Sequence, residues 1–321
     1  MLLLLAVLGG LILLAWSSDK FVDGAVSLAR LTGIPPLVIG MVVIGFGTSA
    51  PELVVSVSAA LNGTPAMALG NAIGSNITNI ALILGVTGLI ATLPLTSDII
   101  RREIPVLLLV GAGSGLLLLD DYLSFMDGLL LMAALLILLL WMLRTAQRGG
   151  DPVLQEEAGN DTATLSLQQS LFWSITGLIL LVVAARLVVW GASGIAGYFG
   201  VSDLVIGLTI VAIGTSLPEL AASVSSARRG ETSMAVGNII GSNLFNNLGV
   251  MGLAALIKPF APPPDVISRD LPIMMGLTLL LLVFAFTPPR RNVLTRWEAA
   301  VLLLAFVAYQ LLLYFQSQAT A

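Results

Sequence analysis

Glu52 and Glu219 are the two acidic residues that fall near the middle of long apolar stretches; the other sixteen of the chain's eighteen lie in polar segments or near the ends of apolar ones. Thr48 and Ser49 stand four and three residues before Glu52, and Thr215 and Ser216 repeat that spacing before Glu219. On a helix these positions share a face with the carboxylate. Pro51 and Pro218 have no N–H, so the carbonyls of Gly47 and Gly214 lose their helical partners. Ser75 and Asn79 form an i, i+4 pair elsewhere, as do Ser242 and Asn246, whereas Asn76 and Asn243 project at a different angle. Carboxylates, hydroxyls, amide oxygens and freed carbonyls make an all-oxygen donor set, and the chain has no His and no Cys. Such a set suits a hard cation, above all Ca²⁺ with about 6–8 oxygens at about 2.3–2.6 Å. Na⁺ has a similar radius and competes for the same cage; Mg²⁺ gives up its water reluctantly and fits less well.

These residues sit in a chain that must be solvated by lipid. Of its 321 residues 57 % are hydrophobic and 10 % charged, and its mean hydropathy is +1.02. A soluble domain has about 25 % charged residues. The balance excludes nucleic-acid binding, a secreted disulfide scaffold and a cytosolic enzyme, and without Cys or His there is no thiolate or imidazole chemistry. A hydrocarbon core about 30 Å thick takes about 20 apolar helical residues. Ten runs meet or approach that length, at roughly 2–29, 35–61, 67–89, 104–119, 122–143, 171–196, 202–227, 234–256, 271–286 and 296–314. The runs are continuous, not alternating, so they are helices and not barrel strands. The first lacks a basic start and a cleavage site and reads as a retained span. An acid inside the membrane costs about 2.5–3.5 kcal/mol, so the two glutamates together cost about 5–7 kcal/mol unless compensated. Protonation or a bound cation supplies that compensation, and two charges held close suit a divalent ion better.

The segment 40–79 aligns without gaps on 207–246 at a constant offset of 167, with 21 identities in 40 positions. Gly47-Thr-Ser-Ala-Pro-Glu-Leu matches Gly214-Thr-Ser-Leu-Pro-Glu-Leu, and Gly70-Asn-Ala-Ile-Gly-Ser-Asn matches Gly237-Asn-Ile-Ile-Gly-Ser-Asn. Fainter echoes join Asp98 to Asp265 and Pro105 to Pro272. Shared Gly, Pro, Asn, Thr, Ser and Glu in register do not arise from hydrophobicity alone. The expected fold is therefore an all-α membrane protein of ten transmembrane helices, arranged as two five-helix repeats: 1–144, then a linker at 145–169, then 170–321. Five is odd, so the second repeat enters the membrane inverted, the plan of folds that alternate access to a central site. Gly70, Gly74, Gly237 and Gly241 have the small-residue spacing that lets helices approach closely.

Basic residues set the orientation. One set of alternating loops holds Lys20, Arg30, Arg101, Arg102, Arg144, Arg148, Arg228, Arg229, Arg290, Arg291 and Arg296; the opposite set holds Lys258 and Arg269. This excess predicts a plasma-membrane (inner-membrane) protein with a cytoplasmic linker and both termini outside. The linker, with Arg148-Gly-Gly-Asp-Pro and Glu156-Glu157, reads as a plain connector. Arg186 lies inside a span, and its repeat mate is Asp19, so an ion pair between the halves is expected.

At these residues the chain resembles the cation/calcium antiporter superfamily, in its sodium/calcium exchanger branch of prokaryotic type. The resemblance rests on Gly47-Thr-Ser-Ala-Pro-Glu52 with Gly74-Ser-Asn-Ile-Thr-Asn79, and on Gly214-Thr-Ser-Leu-Pro-Glu219 with Gly241-Ser-Asn-Leu-Phe-Asn246. It implies exchange of Ca²⁺ against several Na⁺ through a four-helix site. Glu52 and Glu219 would be the shared ligands, with oxygens from Thr48, Ser49, Thr215, Ser216, Ser75 and Ser242. Asn79 and Asn246 would line the centre, and backbone carbonyls near Gly45 and Ala212 would complete the Na⁺ sites. Some relatives, including potassium-dependent ones, carry Asp where this chain has Asn246, which argues against K⁺ dependence.

The expected function is secondary antiport of Ca²⁺ against Na⁺, with no cofactor, no catalytic residue and no required protein partner beyond the bilayer. The alternative is a Ca²⁺/H⁺ antiporter using the same two glutamates; proton-coupled relatives resemble a different motif with nearby His, which this chain lacks. An intramembrane hydrolase needs a His, Lys or Asp cluster that is absent. A passive channel would differ by carrying single-channel currents.

Overall fold

A computed structural model describes residues 1–95, 99–146, 165–200, 210, 212–286 and 292–319. Asp98, Arg148, Glu156, Glu157, Arg290, Arg291 and the start of the expected run 202–227 lie outside these residues.

Among the described residues the regular structure is helical, apart from a two-residue antiparallel pair and an isolated bridge between Leu123 and Phe260. The helices are α1 (Leu2–Thr32), α2 (Pro36–Thr48), α3 (Ala50–Leu61), α4 (Pro65–Ile90), α5 (Ile104–Leu116), α6 (Phe125–Ala146), α7 (Leu167–Tyr198), α8 (Ala212–Thr215), α9 (Leu217–Arg228), α10 (Thr232–Ile257), α11 (Val266–Phe286) and α12 (Arg296–Ala319). Strand β1 (Leu93–Pro94) pairs with β2 (Val293–Leu294), matching Leu93 to Leu294 and tying the end of α4 to the start of α12. Among the described residues seven helices are long and apolar enough to cross a membrane, or eight with α2 and α3 counted as one bent span. The helix α5 is shorter and apolar, preceded by a π-helical turn at Ile99–Glu103.

Local chemistry explains the helix ends. Gly33 leaves α1 in the left-handed region at φ 66°, and Pro36 opens α2 where a missing N–H costs nothing. Three starts carry reciprocal caps, Ser124 with Asp127, Ser166 with Gln169 and Thr295 with Glu298. Each satisfies N–H groups that no lipid could. The Ser166 cap starts α7 at Leu167, inside the expected linker.

The outer helices face lipid and the inner ones do not. The most apolar stretch of α10 is 89 % buried and that of α4 72 %, against 22–33 % for the five other long candidates. The larger apolar core runs between α4 and α10 and reaches α5, α6, α11 and α12. A second cluster joins α1 to α7 through Leu14, Phe21, Ala25, Leu181, Ala184 and Ala185. Ser170 donates to Ser27 across that seam at 2.9 Å. The helix α10 lies close against α2: a Cβ on Gly237 or Gly241 would strike the backbone of Leu37 or Met41. These two glycines therefore do pack helices together, as their spacing suggested, whereas a Cβ on Gly70 or Gly74 would meet nothing within 4 Å.

The expected pair between Arg186 and Asp19 does not form. Asp19 accepts from Ser225 Oγ at 2.5 Å and pairs with Arg229 at 3.6 Å, while Arg186 is exposed. Arg229 also pairs with Asp23, and Arg30 with Glu231 at 3.4 Å, so α1 is tied to the end of α9 and the start of α10. Tertiary packing brings those groups within reach; repeat-equivalent numbering does not.

Candidate cation site at the two helix breaks

Both glutamates sit one turn beyond a break in the helix. Ser49, at φ −79° and ψ 3°, separates α2 from α3, whose axes differ by 43°. Ser216, at φ −89° and ψ 6°, separates α8 from α9 in the same way. Pro51 and Pro218 occupy the first turn after each break, where their rings cannot clash with a preceding carbonyl and their missing N–H is not needed. Glu52 and Glu219 thus stand in the first turns of α3 and α9, at the end of the helix dipole that favours negative charge.

The breaks aim the two carboxylates at one another's hydroxyls. Ser49 Oγ donates to Glu219 Oε1 at 3.0 Å, with Thr48 beside the same carboxylate. Thr215 and Ser216 lie beside Glu52. Both glutamates are 1 % exposed. Glu52 Oε1, Glu52 Oε2 and Glu219 Oε2 accept no hydrogen bond, and neither glutamate is in an ion pair among the described residues. Three buried carboxylate oxygens without donors are a donor set that suits a cation. No group of three or more His, Cys, Asp and Glu occurs among the described residues, so the acidic charge of this site is two.

The helices α4 and α10 supply neutral oxygens. Ser242 Oγ donates to the Gly45 carbonyl at 3.2 Å, so two expected ligands from opposite halves meet. Ser75 is buried, as are Asn79 and Asn246. Asn79 Nδ2 donates to Asn243 Oδ1 at 2.9 Å and leaves its own Oδ1 without a partner; neither polar atom of the Asn246 side chain has one. A π-helical turn starts at each of these residues, over Asn79–Ile83 and Asn246–Val250, and such single-turn insertions are frequent at functional sites. The backbone of Ala212 opens α8.

Three side chains enter the site that spacing alone did not assign. Asn243 accepts from Asn79 across the two halves despite its different helical angle. Asn71 donates to the Glu52 carbonyl at 3.4 Å and to Ser56 Oγ at 3.1 Å. Asn238 donates to the Glu219 carbonyl at 3.1 Å and to Ser223 Oγ at 2.8 Å. Identity of Asn71 and Asn238 within the repeats was the available signal. Asn76 instead turns toward Met274.

Residues 2–144 and 169–315 match the family model described as sodium/calcium exchanger protein. The chain is 42 % identical to the inner membrane protein YrbG of Escherichia coli over 313 residues, covering 96 % of this chain and 95 % of that protein. It is 29 % identical to the sodium/calcium exchanger MaX1 of Methanosarcina acetivorans, covering 97 % and 98 %. Its fold superposes on the sodium-calcium exchanger NCX_Mj, solved after soaking with Na⁺ and Sr²⁺, at TM-score 0.83, 33 % identity and coverage of 96 % and 97 %.

Proposed function

The chain belongs to the sodium/calcium exchanger protein family, and from that premise we propose that it exchanges Ca²⁺ for Na⁺ across the plasma membrane by alternating access. The observation that carries this reading is the pair of glutamates, 1 % exposed, with three unpartnered carboxylate oxygens and the fourth, Glu219 Oε1, bonded to a hydroxyl of the opposite half. In this reading ten spans form two inverted repeats, 1–144 and 170–321, joined by the cytoplasmic linker 145–169, with both termini outside.

Two glutamates neutralise one Ca²⁺. Hydroxyls of Thr48, Ser49, Thr215, Ser216, Ser75 and Ser242, amides of Asn79 and Asn246 and carbonyls near Gly45 and Ala212 complete oxygen shells for Ca²⁺ or for several Na⁺. The same carboxylates serve both ions, so the site holds Ca²⁺ or Na⁺ and never both. An unneutralised pair keeps its full cost of about 5–7 kcal/mol within the membrane, so the site closes on a loaded state only. Competition then becomes obligatory exchange: the inverted halves swap conformations, and the open side swaps with them. An inward Na⁺ gradient drives Ca²⁺ outward.

The test is ⁴⁵Ca²⁺ flux in proteoliposomes under imposed Na⁺ gradients, with Glu52→Gln and Glu219→Gln beside the wild type. Both variants are expected to lose Na⁺-driven flux, and undiminished flux in either refutes the assignment. Uptake driven by a pH gradient without Na⁺ would favour proton coupling through the same glutamates.

A further inference from the structure

Asn238 bonds to both halves of the molecule at once. Its amide nitrogen faces the Glu219 carbonyl at 3.1 Å and Ser223 Oγ at 2.8 Å, and its amide oxygen accepts from Thr48 Oγ1 at 3.2 Å. The first contact fixes the amide's orientation, since a carbonyl oxygen only accepts. The amide oxygen must then face Thr48, whose hydroxyl also lies 3.0 Å from the Ile44 carbonyl.

Asn238 also lies in register with the rest of the cage. Asn238, Ser242 and Asn246 occupy positions i, i+4 and i+8 of α10, one stripe of one helix. The side chain grips Glu219 and Ser223 at i and i+4 of α9, one full turn. Sliding α9 along α10 breaks both donor contacts together. Asn71 grips Glu52 and Ser56 in the same way, but more weakly: its contact to the glutamate carbonyl is 3.4 Å, and it is half-buried where Asn238 is fully buried.

We propose that Asn238 is a positioning residue for the cation site: it sets the register of Glu219 on α9 against Ser242 and Asn246 on α10 and holds Thr48 of the other half to the same amide. Asn71 plays the weaker, symmetry-related part. Ca²⁺ accepts oxygens within about 2.3–2.6 Å, a range of only ~0.3 Å, so a loosened register lowers ion affinity before it lowers turnover. This inference rests on the exchanger reading and names the residue that holds its ligands in place.

The experiment measures Na⁺-driven ⁴⁵Ca²⁺ flux against Ca²⁺ concentration in proteoliposomes of the full chain, together with thermal midpoints in detergent. Asn238→Ala should raise half-saturating Ca²⁺ about tenfold, the loss expected for two or three buried hydrogen bonds, while the maximal rate stays within about threefold. Asn71→Ala should produce a smaller shift. Ser223→Ala, which removes one arm of the clamp and leaves every expected ligand, should raise half-saturation about threefold; it carries the test should Asn238→Ala not fold. Half-saturation within twofold of wild type in the folded variants overturns the proposal. So does a pattern in which only the thermal midpoint and the maximal rate fall, which would mark a merely structural residue. Glu219→Gln is the control for the underlying reading. If it retains flux, the exchanger assignment fails; if it loses flux while Asn238→Ala and Ser223→Ala keep wild-type affinity, only the positioning role fails.

Discussion

Replacing Gly241 by Ala tests how tightly the two halves are held at the site. A Cβ there would stand 2.6 Å from Met41 Cα and 2.8 Å from its carbonyl carbon, and closer still to its carbonyl oxygen. Carbon atoms in ordinary contact lie about 3.5–4.0 Å apart. The obstruction is backbone, which no rotamer change relieves, so α2 and α10 must separate by about 1 Å. Two bonds between these helices then stretch past hydrogen-bonding range: Ser242 Oγ to the Gly45 carbonyl and Thr48 Oγ1 to Asn238 Oδ1, both at 3.2 Å. Each is worth about 0.5–1.5 kcal/mol, and overpacking adds about 1–3 kcal/mol, a total of about 2–6 kcal/mol. The expected result is a lowered thermal midpoint in detergent together with at least a tenfold rise in half-saturating Ca²⁺. Gly113→Ala is the control, since a Cβ there meets nothing within 4 Å and helix propensity favours Ala by about 1 kcal/mol. A Gly241→Ala protein with unchanged thermal midpoint and Ca²⁺ dependence would refute the close approach and the argument built on it.

Three further outcomes follow from the same geometry. Acidification should inhibit Ca²⁺ uptake, because a protonated glutamate no longer neutralises the ion; the flux falls as pH falls, and flux independent of pH would argue against carboxylate ligands. Pro218→Ala restores an N–H to the turn after Ser216 and lets α8 and α9 straighten, so Na⁺-driven flux should fall severalfold while membrane insertion, read from purified yield, is retained. Arg229→Gln removes the pairs to Asp19 and Asp23. These groups are about a third to a half exposed, so the thermal midpoint should move by the equivalent of about 1 kcal/mol or less, and a larger loss would mean that the tie between α1 and α9 is stronger than its exposure allows.

Much of the arrangement was legible in the residues. Proline after Thr-Ser placed each helix break within two positions of where it lies, because a missing N–H acts locally. Periodicity put Thr48 and Ser49 on the face of Glu52, whereas Ser49 donates to Glu219 of the other half, and nothing in the spacing showed that Ser242 meets the Gly45 carbonyl. Spacing within one helix did not show that Asn243 meets Asn79, because that contact depends on how α4 packs against α10. It erred for Asp19, whose partner is Arg229 and not Arg186. Short β-pairing between Leu93 and Leu294 had no signal either, since two residues are too few to show alternation.

What the chain's residues determined on their own is local or repetitive: apolar runs that demand lipid, prolines that break helices, a carboxylate-and-hydroxyl face on each half, and a repeat at a constant offset of 167. These follow from bonds and spacings within one turn of helix or from self-comparison, and need no knowledge of distant neighbours. Tertiary structure alone decided that Ser49 reaches Glu219, that Thr48 and Glu219 share the amide of Asn238, and that Gly241 rests on Met41. Apart from the Asn238–Glu219 bond, which spans 19 positions, those contacts join residues 170 to 200 positions apart, and only the mutual packing of the two halves, set by small residues that let their backbones touch, brings such groups together.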